Sequence, residues 1–145
     1  MTDDLYQNAI VAHARAGAGK GRLKDPDGSA TVDNPLCGDR VTIDLRMDGA
    51  RVAALGQQVR GCVLCEAAAS VIGQRAPGAS RHDIAVAARI VAGILKGEPV
   101  RDAVSWPELS DFKPVSAYAS RHDCVLLPFE ALERALAAAA KPKSR

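Results

Sequence analysis

The sequence is poor in aromatic residues and carries almost no net charge. Only five of its 145 residues are Phe, Trp or Tyr, whereas 27 are Ala. The formal net charge is +2, and three of the basic residues stand among the last five positions. The rest of the chain therefore lacks the basic excess that nucleic-acid binding needs. A core of such small side chains favours helices that pack closely together.

Signals for membrane insertion and secretion are also missing. No stretch reaches the roughly 18 apolar residues that a membrane span requires. The first six residues contain neither the basic region nor the apolar region of a signal peptide. We therefore expect a cytoplasmic protein with no membrane partner. In that compartment cysteines stay reduced, so a cysteine cluster points to metal or sulfur chemistry rather than to disulfides.

Hydrophobic periodicity predicts one helix, three strands and then further helices. The alternation of apolar and polar residues over 41–48 is typical of a half-buried strand, and Asp48-Gly49 is a strong hairpin signal. The predicted elements are helix 4–14, a short strand at Thr31-Val32, strands 41–48 and 51–59, helix 62–74, a helix capped by Asp83 and closed by Gly97, and a last helix starting near Pro128.

This order of elements predicts an α+β fold, in which helices pack on one face of a small three-stranded antiparallel sheet. We expect residues 1–145 to form a single domain with a flexible tail from about residue 139. The glycine-rich segment 16–21 contains a Gly-Lys pair, but no Ser or Thr follows the lysine and no strand precedes it. It is therefore predicted to be a flexible connector rather than a phosphate-binding loop.

Three of the four cysteines lie where loops meet the ends of elements. Cys37 stands in a turn two residues before Asp39, Cys62 opens a helix, and Cys124 is predicted to lie just before the last helix. A helix N-terminus stabilises a thiolate through its unpaired N–H groups and its dipole. Three thiolates and one carboxylate form a four-coordinate set that suits zinc, and also iron in a cluster.

The remaining candidates carry less weight. Cys65 follows Cys62 by one helical turn and shares its face, yet a buried structural thiol is an equally good interpretation. His122 could replace a departing ligand at the site of Cys124. Arg121 could guide a partner or an anionic sulfur group, or could simply form a surface ion pair.

The cysteine motifs resemble those of the NifU N-terminal/IscU/SufU family of iron–sulfur cluster assembly proteins. The resemblance covers nearly the whole chain and includes the opening helix. The motifs that carry it are Asn34-Pro-Leu-Cys-Gly-Asp39, Gly61-Cys62 before a helix of small residues, and Arg121-x-x-Cys124-x-x-Leu127. The long interval before the third cysteine and the position of Arg121 resemble the SufU branch most.

Two positions depart from relatives in this family. The IscU branch carries a histidine immediately before its third cysteine and a Leu-Pro-Pro-Val-Lys motif, whereas this chain has Asp123 and only Lys113-Pro-Val115. This difference argues against docking to a dedicated Hsp70-type chaperone. SufU-like sequences usually carry serine where this chain has Cys65, so the extra thiol could alter ligand choice or accept sulfur.

The resemblance implies a SufE/NifU-like fold and a role in iron–sulfur cluster assembly. It implies a metal site of Cys37, Asp39, Cys62 and Cys124, holding Zn²⁺ or a transient [2Fe–2S] cluster. Cys124 would accept persulfide sulfur from a SufS-like cysteine desulfurase, because its neighbouring loop is expected to be the most mobile. Downstream partners would be another iron–sulfur scaffold or apo-proteins.

Two other interpretations remain. A zinc-stabilised interaction domain would bind metal without transferring sulfur. A redox enzyme would use Cys62 and Cys65 as a reversible pair.

Overall fold

The computed structural model describes residues 8–36, 38–99 and 106–140. Its three strands form one antiparallel sheet in the order β1-β2-β3, with β2 in the centre. The strands are β1 (Gly28–Asn34), β2 (Asp39–Asp48) and β3 (Arg51–Arg60). The predicted α+β class and the predicted hairpin at Asp48-Gly49 are both confirmed, and Gly49 has the positive φ of 62° that this tight turn requires.

Within the described ranges, four α-helices and two 3₁₀ segments accompany the sheet. None of the helices in the described ranges has the length and apolar character of a membrane span. The helical elements are α1 (Asn8–Ala16), α2 (Val63–Arg75), α3 (Arg81–Leu95), the 3₁₀ segments Pro107–Ala117 and Ala119–Arg121, and α4 (His122–Ala140). The predicted first helix starts within residues 1–7, which lie outside the described residues.

The prediction for the start of the last helix is wrong. Proline favours the first turn of a helix, which is why the sequence indicates a start near Pro128. Instead α4 begins at His122 and contains Pro128 in its interior. Cys124 consequently lies in the first turn of α4 rather than in a loop. The far end of α4 includes residues 139 and 140, which the prediction assigns to a flexible tail, and residues 141–145 lie outside the described residues.

The sequence predicts Asp83 as the N-cap of α3, but the N-cap lies three residues earlier. Ser80 is the N-cap, and its hydroxyl accepts a hydrogen bond from the Asp83 amide at 3.0 Å. The Asp83 carboxylate accepts a hydrogen bond from the Ser80 amide at 3.1 Å. The two side chains thus form a capping box, in which Asp83 is the third helical residue rather than the cap.

The core lies between one face of the sheet and the helices. Val41, Ile43 and Leu45 point to this face and are completely buried, as their alternation predicted. α4 packs across β1 and β2, and α2 packs beside it on β3. A side chain at Gly28 would collide with the backbone of α4 at Ala135. Small residues therefore allow the close packing that the alanine-rich composition indicated.

Residues 17–24 are held against the sheet, so the predicted flexible connector is wrong. Gly19 and Gly21 form backbone hydrogen bonds of 2.9 and 2.8 Å with Gln57 of β3. The segment then passes over the sheet face opposite the helices, where Arg22 binds the carboxylate of Asp44 through two hydrogen bonds of 2.6 and 3.0 Å. This ion pair fixes the connector to the central strand.

Asp44 is fully buried, with four hydrogen bonds to its carboxylate. Besides the two from Arg22, the Leu23 amide donates at 3.1 Å and the Ser29 hydroxyl at 2.6 Å. Burial alone would raise the pKa of Asp44, but these hydrogen bonds and the charge of Arg22 outweigh it and hold that pKa below its ordinary value. The ionised carboxylate therefore stabilises the fold.

We expect Asp44→Ala to lower the free energy of unfolding by about 2–3 kcal/mol at pH 7, because the Leu23 amide and the Ser29 hydroxyl lose their charged acceptor while Arg22 stays half exposed to water. Because the pKa of Asp44 is lowered in the folded state, the full loss of stability is present at neutral pH, and it becomes smaller as the pH falls below about 4. Urea unfolding at pH 7 and pH 3 measures both effects.

Asp33→Ala is the matched control for this substitution. It removes an ion pair with Arg40 in which both side chains are about half exposed, so it should cost no more than about 1 kcal/mol. Equal losses in the two variants, or a loss at Asp44 that is as large at pH 3 as at pH 7, would contradict the assigned role.

Candidate metal centre

The first wall of the site is the start of β2. Asp39 is its first residue and points to the same face as Val41, so its side chain enters the core and is only 5% exposed. The preceding turn is closed by a hydrogen bond of 2.8 Å from the Gly38 amide to the Asn34 carbonyl. Cys37 lies outside the described residues.

The second wall is the junction between β3 and α2. Cys62 is the N-cap of α2, with an extended backbone at φ −74° and ψ 175° and no side-chain capping bond. It is partly exposed. Its sulfur is therefore available at the positive end of the helix dipole, where a thiolate is stabilised.

The third wall is the first turn of α4. Because α4 lies across β1 and β2, this turn brings Cys124 over the end of β2, and its side chain is only 3% exposed. Pro128 stands four residues later and has no N–H to donate to the carbonyl of Cys124. The turn that carries Cys124 is thus held by one helical hydrogen bond fewer than an ordinary turn.

These three walls bring a carboxylate and two thiols together. One oxygen of Asp39 and the sulfurs of Cys62 and Cys124 all lie within 4.8 Å of one another. Ligand atoms around a tetrahedral zinc ion stand about 3.5–4 Å apart, so small side-chain movements suffice to close this group around a metal. Zinc accepts both ligand types in structural and catalytic sites.

The Oδ2 atom of Asp39 gives the strongest indication of a cation. It is buried and has no hydrogen-bond partner among the described residues. A buried carboxylate oxygen without a donor is costly, because its lost hydration is not replaced. A metal ion among these donors would supply the missing interaction, so the residues present fit a metal.

The electrostatics of Cys124 support the same conclusion. Burial raises the pKa of its thiol to about 12, and the neighbouring Cys62 and Asp39 contribute to the rise. A hydrogen bond with Arg121 acts in the opposite direction. Without a cation the site therefore disfavours a second negative charge, and a cation is what would make thiolates of both sulfurs.

The other predicted candidates lie around this group. Arg121 contacts the Cys124 thiol, as described above. The Nε2 atom of His122 lies 3.2 Å from the carbonyl oxygen of Ser116 and is not one of the gathered donors among the described residues. Cys65 is fully buried one turn into α2 and likewise stands outside the group of three.

Gly61, which the sequence analysis names only as part of a resemblance motif, leaves space beside the site. A Cβ at this position would lie 3.0 Å from Cγ of Asp39 and 3.0 Å from both Cβ and Sγ of Cys65. These distances are tighter than most real contacts, so a side chain here would press on the site. The sequence shows a glycine immediately before Cys62, but only the packing shows why a side chain at that glycine would disturb the site.

Comparison with known proteins agrees with this geometry. The family model described as the NifU-like N terminal domain matches residues 5–143. The chain belongs to this family. The predicted resemblance is thereby confirmed, and the Asp39–Cys62–Cys124 group is a candidate metal site within a NifU-like domain.

Individual relatives support the assignment over almost their full lengths. "Zinc-dependent sulfurtransferase SufU" of Bacillus subtilis is 29% identical, covering 93% of this chain and 91% of the relative. "Iron-sulfur cluster assembly scaffold protein IscU" of Thermotoga maritima is 25% identical, covering 95% and 96%. The crystal structure of a nitrogen-fixing NifU-like protein from Brucella abortus is 30% identical, covers 94% and 95%, and superposes with a TM-score of 0.85.

We expect Gly61→Ala to weaken zinc binding by at least about tenfold, the loss typical when the surroundings of a ligand are disturbed. The added methyl group would displace Asp39 or Cys65. Zinc affinity measured by competition with a chromophoric chelator checks this. Gly93→Ala in α3 is the control, because its Cβ would meet only the flexible Glu98 side chain. Equal affinities in the two variants would contradict the role of Gly61.

Proposed function

We propose that this NifU-like protein accepts persulfide sulfur from a cysteine desulfurase and passes it to iron–sulfur cluster assembly. The observation that carries this proposal is the Asp39 carboxylate, which lies within 4.8 Å of two thiols and has a buried oxygen without a partner among the described residues. The Asp39–Cys62–Cys124 group thus contains donors that a cation would stabilise and sulfur atoms that can act as nucleophiles. The Bacillus subtilis relative, named a zinc-dependent sulfurtransferase, combines the same two properties.

Zinc is the resting metal in this proposal. Asp39, Cys62 and Cys124 would hold it, with Cys37 as the proposed fourth ligand. When bound, zinc would keep the cysteines as thiolates and lower their reactivity toward oxidants. A carboxylate oxygen beside thiolates makes a mixed ligand set, which suits a site whose ligands exchange.

Cys124 is the proposed sulfur acceptor. The expected mobile loop beside it does not exist, since residues 119–121 are helical and α4 begins at His122. Two features of the structure support the assignment instead. Pro128 leaves the turn around Cys124 with one hydrogen bond fewer, which favours its movement. The Arg121 guanidinium contacts the thiol and stabilises its charged form.

The proposed transfer is a thiol–persulfide exchange. The Cys124 thiolate attacks the outer sulfur of the desulfurase persulfide, and a new S–S bond forms at Cys124. The S–S bond on the desulfurase breaks, and the electron pair leaves with its cysteine as a thiolate, which takes up a proton. The sulfur keeps its oxidation state, so no external oxidant or reductant is needed.

The wider setting follows from this chemistry. We infer a cytoplasmic protein, because persulfides and free thiols require a reducing compartment. The donor would be a SufS-like desulfurase, and the cargo would pass to a second scaffold or to apo-proteins. We infer no docking to a dedicated Hsp70-type chaperone, and the burial of Val115 in the Lys113-Pro-Val115 segment supports this inference. We further infer that residues 1–145 act as one domain.

We expect Cys124→Ser to abolish sulfur acceptance and Arg121→Ala to slow it by about tenfold, the value of one charge-assisted hydrogen bond. The protein is incubated with a SufS-like desulfurase and L-cysteine, and each cysteine peptide is alkylated and examined by mass spectrometry for an added sulfur. In the wild type, the persulfide should appear on the Cys124 peptide.

The outcomes separate the possible functions. A persulfide found on Cys37 or Cys62 alone would contradict the assignment of Cys124. A protein that binds zinc and unfolds on chelation, yet never acquires sulfur, would be a zinc-stabilised interaction domain. A reversible disulfide between Cys62 and Cys65 without any persulfide would favour the redox enzyme.

A further inference from the structure

Cys65 occupies a position from which its side chain reaches back toward Cys62. Cys62 is the N-cap of α2 and Cys65 the third helical residue, the same positions that Ser80 and Asp83 hold in α3. There the Asp83 side chain reaches back to the Ser80 amide at 3.1 Å. The Cys65 sulfur is likewise directed toward the start of its helix, where it lies beside Gly61.

Cys65 and Asp39 both border the gap that the missing side chain of Gly61 leaves. The point where a Cβ of Gly61 would stand is 3.0 Å from Cγ of Asp39 and 3.0 Å from Sγ of Cys65. The two atoms are therefore no more than about 6 Å apart. The same Asp39 side chain has a buried Oδ2 atom without a partner among the described residues.

Cys65 can move toward the gap by changing one torsion angle. A step between staggered χ1 rotamers displaces a cysteine sulfur by about 3 Å. A change of rotamer therefore has the reach to bring the Cys65 sulfur within bonding distance of a metal held by Asp39.

We propose that Cys65 is a reserve ligand, which binds the metal when one of the resting thiolates leaves to accept sulfur. This inference rests on the proposed function, since it presupposes both a metal and a departing cysteine. One metal–sulfur bond forms as another breaks, and the thiol proton of Cys65 passes to water or to the thiolate that leaves. No electrons are exchanged. The metal then keeps its number of sulfur ligands while Cys124 carries its cargo.

Cobalt(II) binding to the full chain tests this role without any desulfurase. The near-ultraviolet sulfur-to-cobalt absorption grows with the number of thiolate ligands, so it reports their count directly. The variant Cys124→Ala represents the state in which Cys124 no longer binds the metal. We expect this variant to keep the absorption of the wild type, because Cys65 takes the vacant position.

The double variant Cys124→Ala, Cys65→Ala should then lose one thiolate's share of the absorption. Its cobalt affinity should fall below that of Cys124→Ala by at least roughly 10- to 100-fold, the loss seen even for residues that only support a ligand. Cys65→Ala alone should match the wild type. Val71→Ala in the Cys124→Ala background is the control, because Val71 is also fully buried on α2 and should leave the absorption unchanged.

The failures are distinguishable. If the wild type binds cobalt but Cys124→Ala and the double variant share the same absorption and affinity, Cys65 is no ligand and this inference alone is overturned. If Cys65→Ala by itself removes a thiolate, Cys65 is a resting ligand and the reserve role is equally overturned. If the wild type binds neither cobalt nor zinc, the proposed function itself fails.

Discussion

The structure depends on an electrostatic imbalance at the end of β2. A carboxylate and two thiols converge at a nearly buried point, and one buried oxygen of that Asp39 carboxylate has no donor among the described residues. The contact of Arg121 with Cys124 offsets this in part, yet the pKa of Cys124 remains high. Burial of unpaired acidic groups is costly, so the protein would retain this arrangement only if a cation completes it. A metal site is the simplest explanation of the fold's most unfavourable feature.

The rest of the fold serves to hold these donors at fixed distances. The ion pair of Arg22 with Asp44 attaches the connector to the central strand, opposite the face that carries the helices. On the other face, Gly28 lets α4 pack closely against β1 at Ala135, and the first turn of the same helix carries Cys124. The donors thus come from a strand start and two helix starts. Backbone at such ends is less constrained than in the middle of an element, which allows ligands to exchange.

Much of this could be predicted from the sequence, for physical reasons that particular residues make clear. The alternation around Ile43 identified the central strand, because the face toward the core must be apolar. The grouping of Asp39, Cys62 and Cys124 followed from their places at the ends of elements and from the family resemblance. The predicted start of α4 was wrong because a proline such as Pro128 can stand either in the first turn of a helix or, less often, in its interior. The role of Gly61 and the unpaired Asp39 oxygen could not be predicted, since both depend on packing between elements distant in sequence.

The central claim is that Asp39 is a metal ligand beside cysteine sulfurs. X-ray absorption at the zinc edge of the zinc-loaded protein measures the ligand shell directly. The account predicts a mixed shell, with sulfur at about 2.3 Å and one oxygen at about 2.0–2.2 Å. In Asp39→Ala the carboxylate oxygen should be lost and zinc should bind more weakly. A shell of four sulfurs in the wild type, or a shell that Asp39→Ala leaves unchanged, would contradict the account.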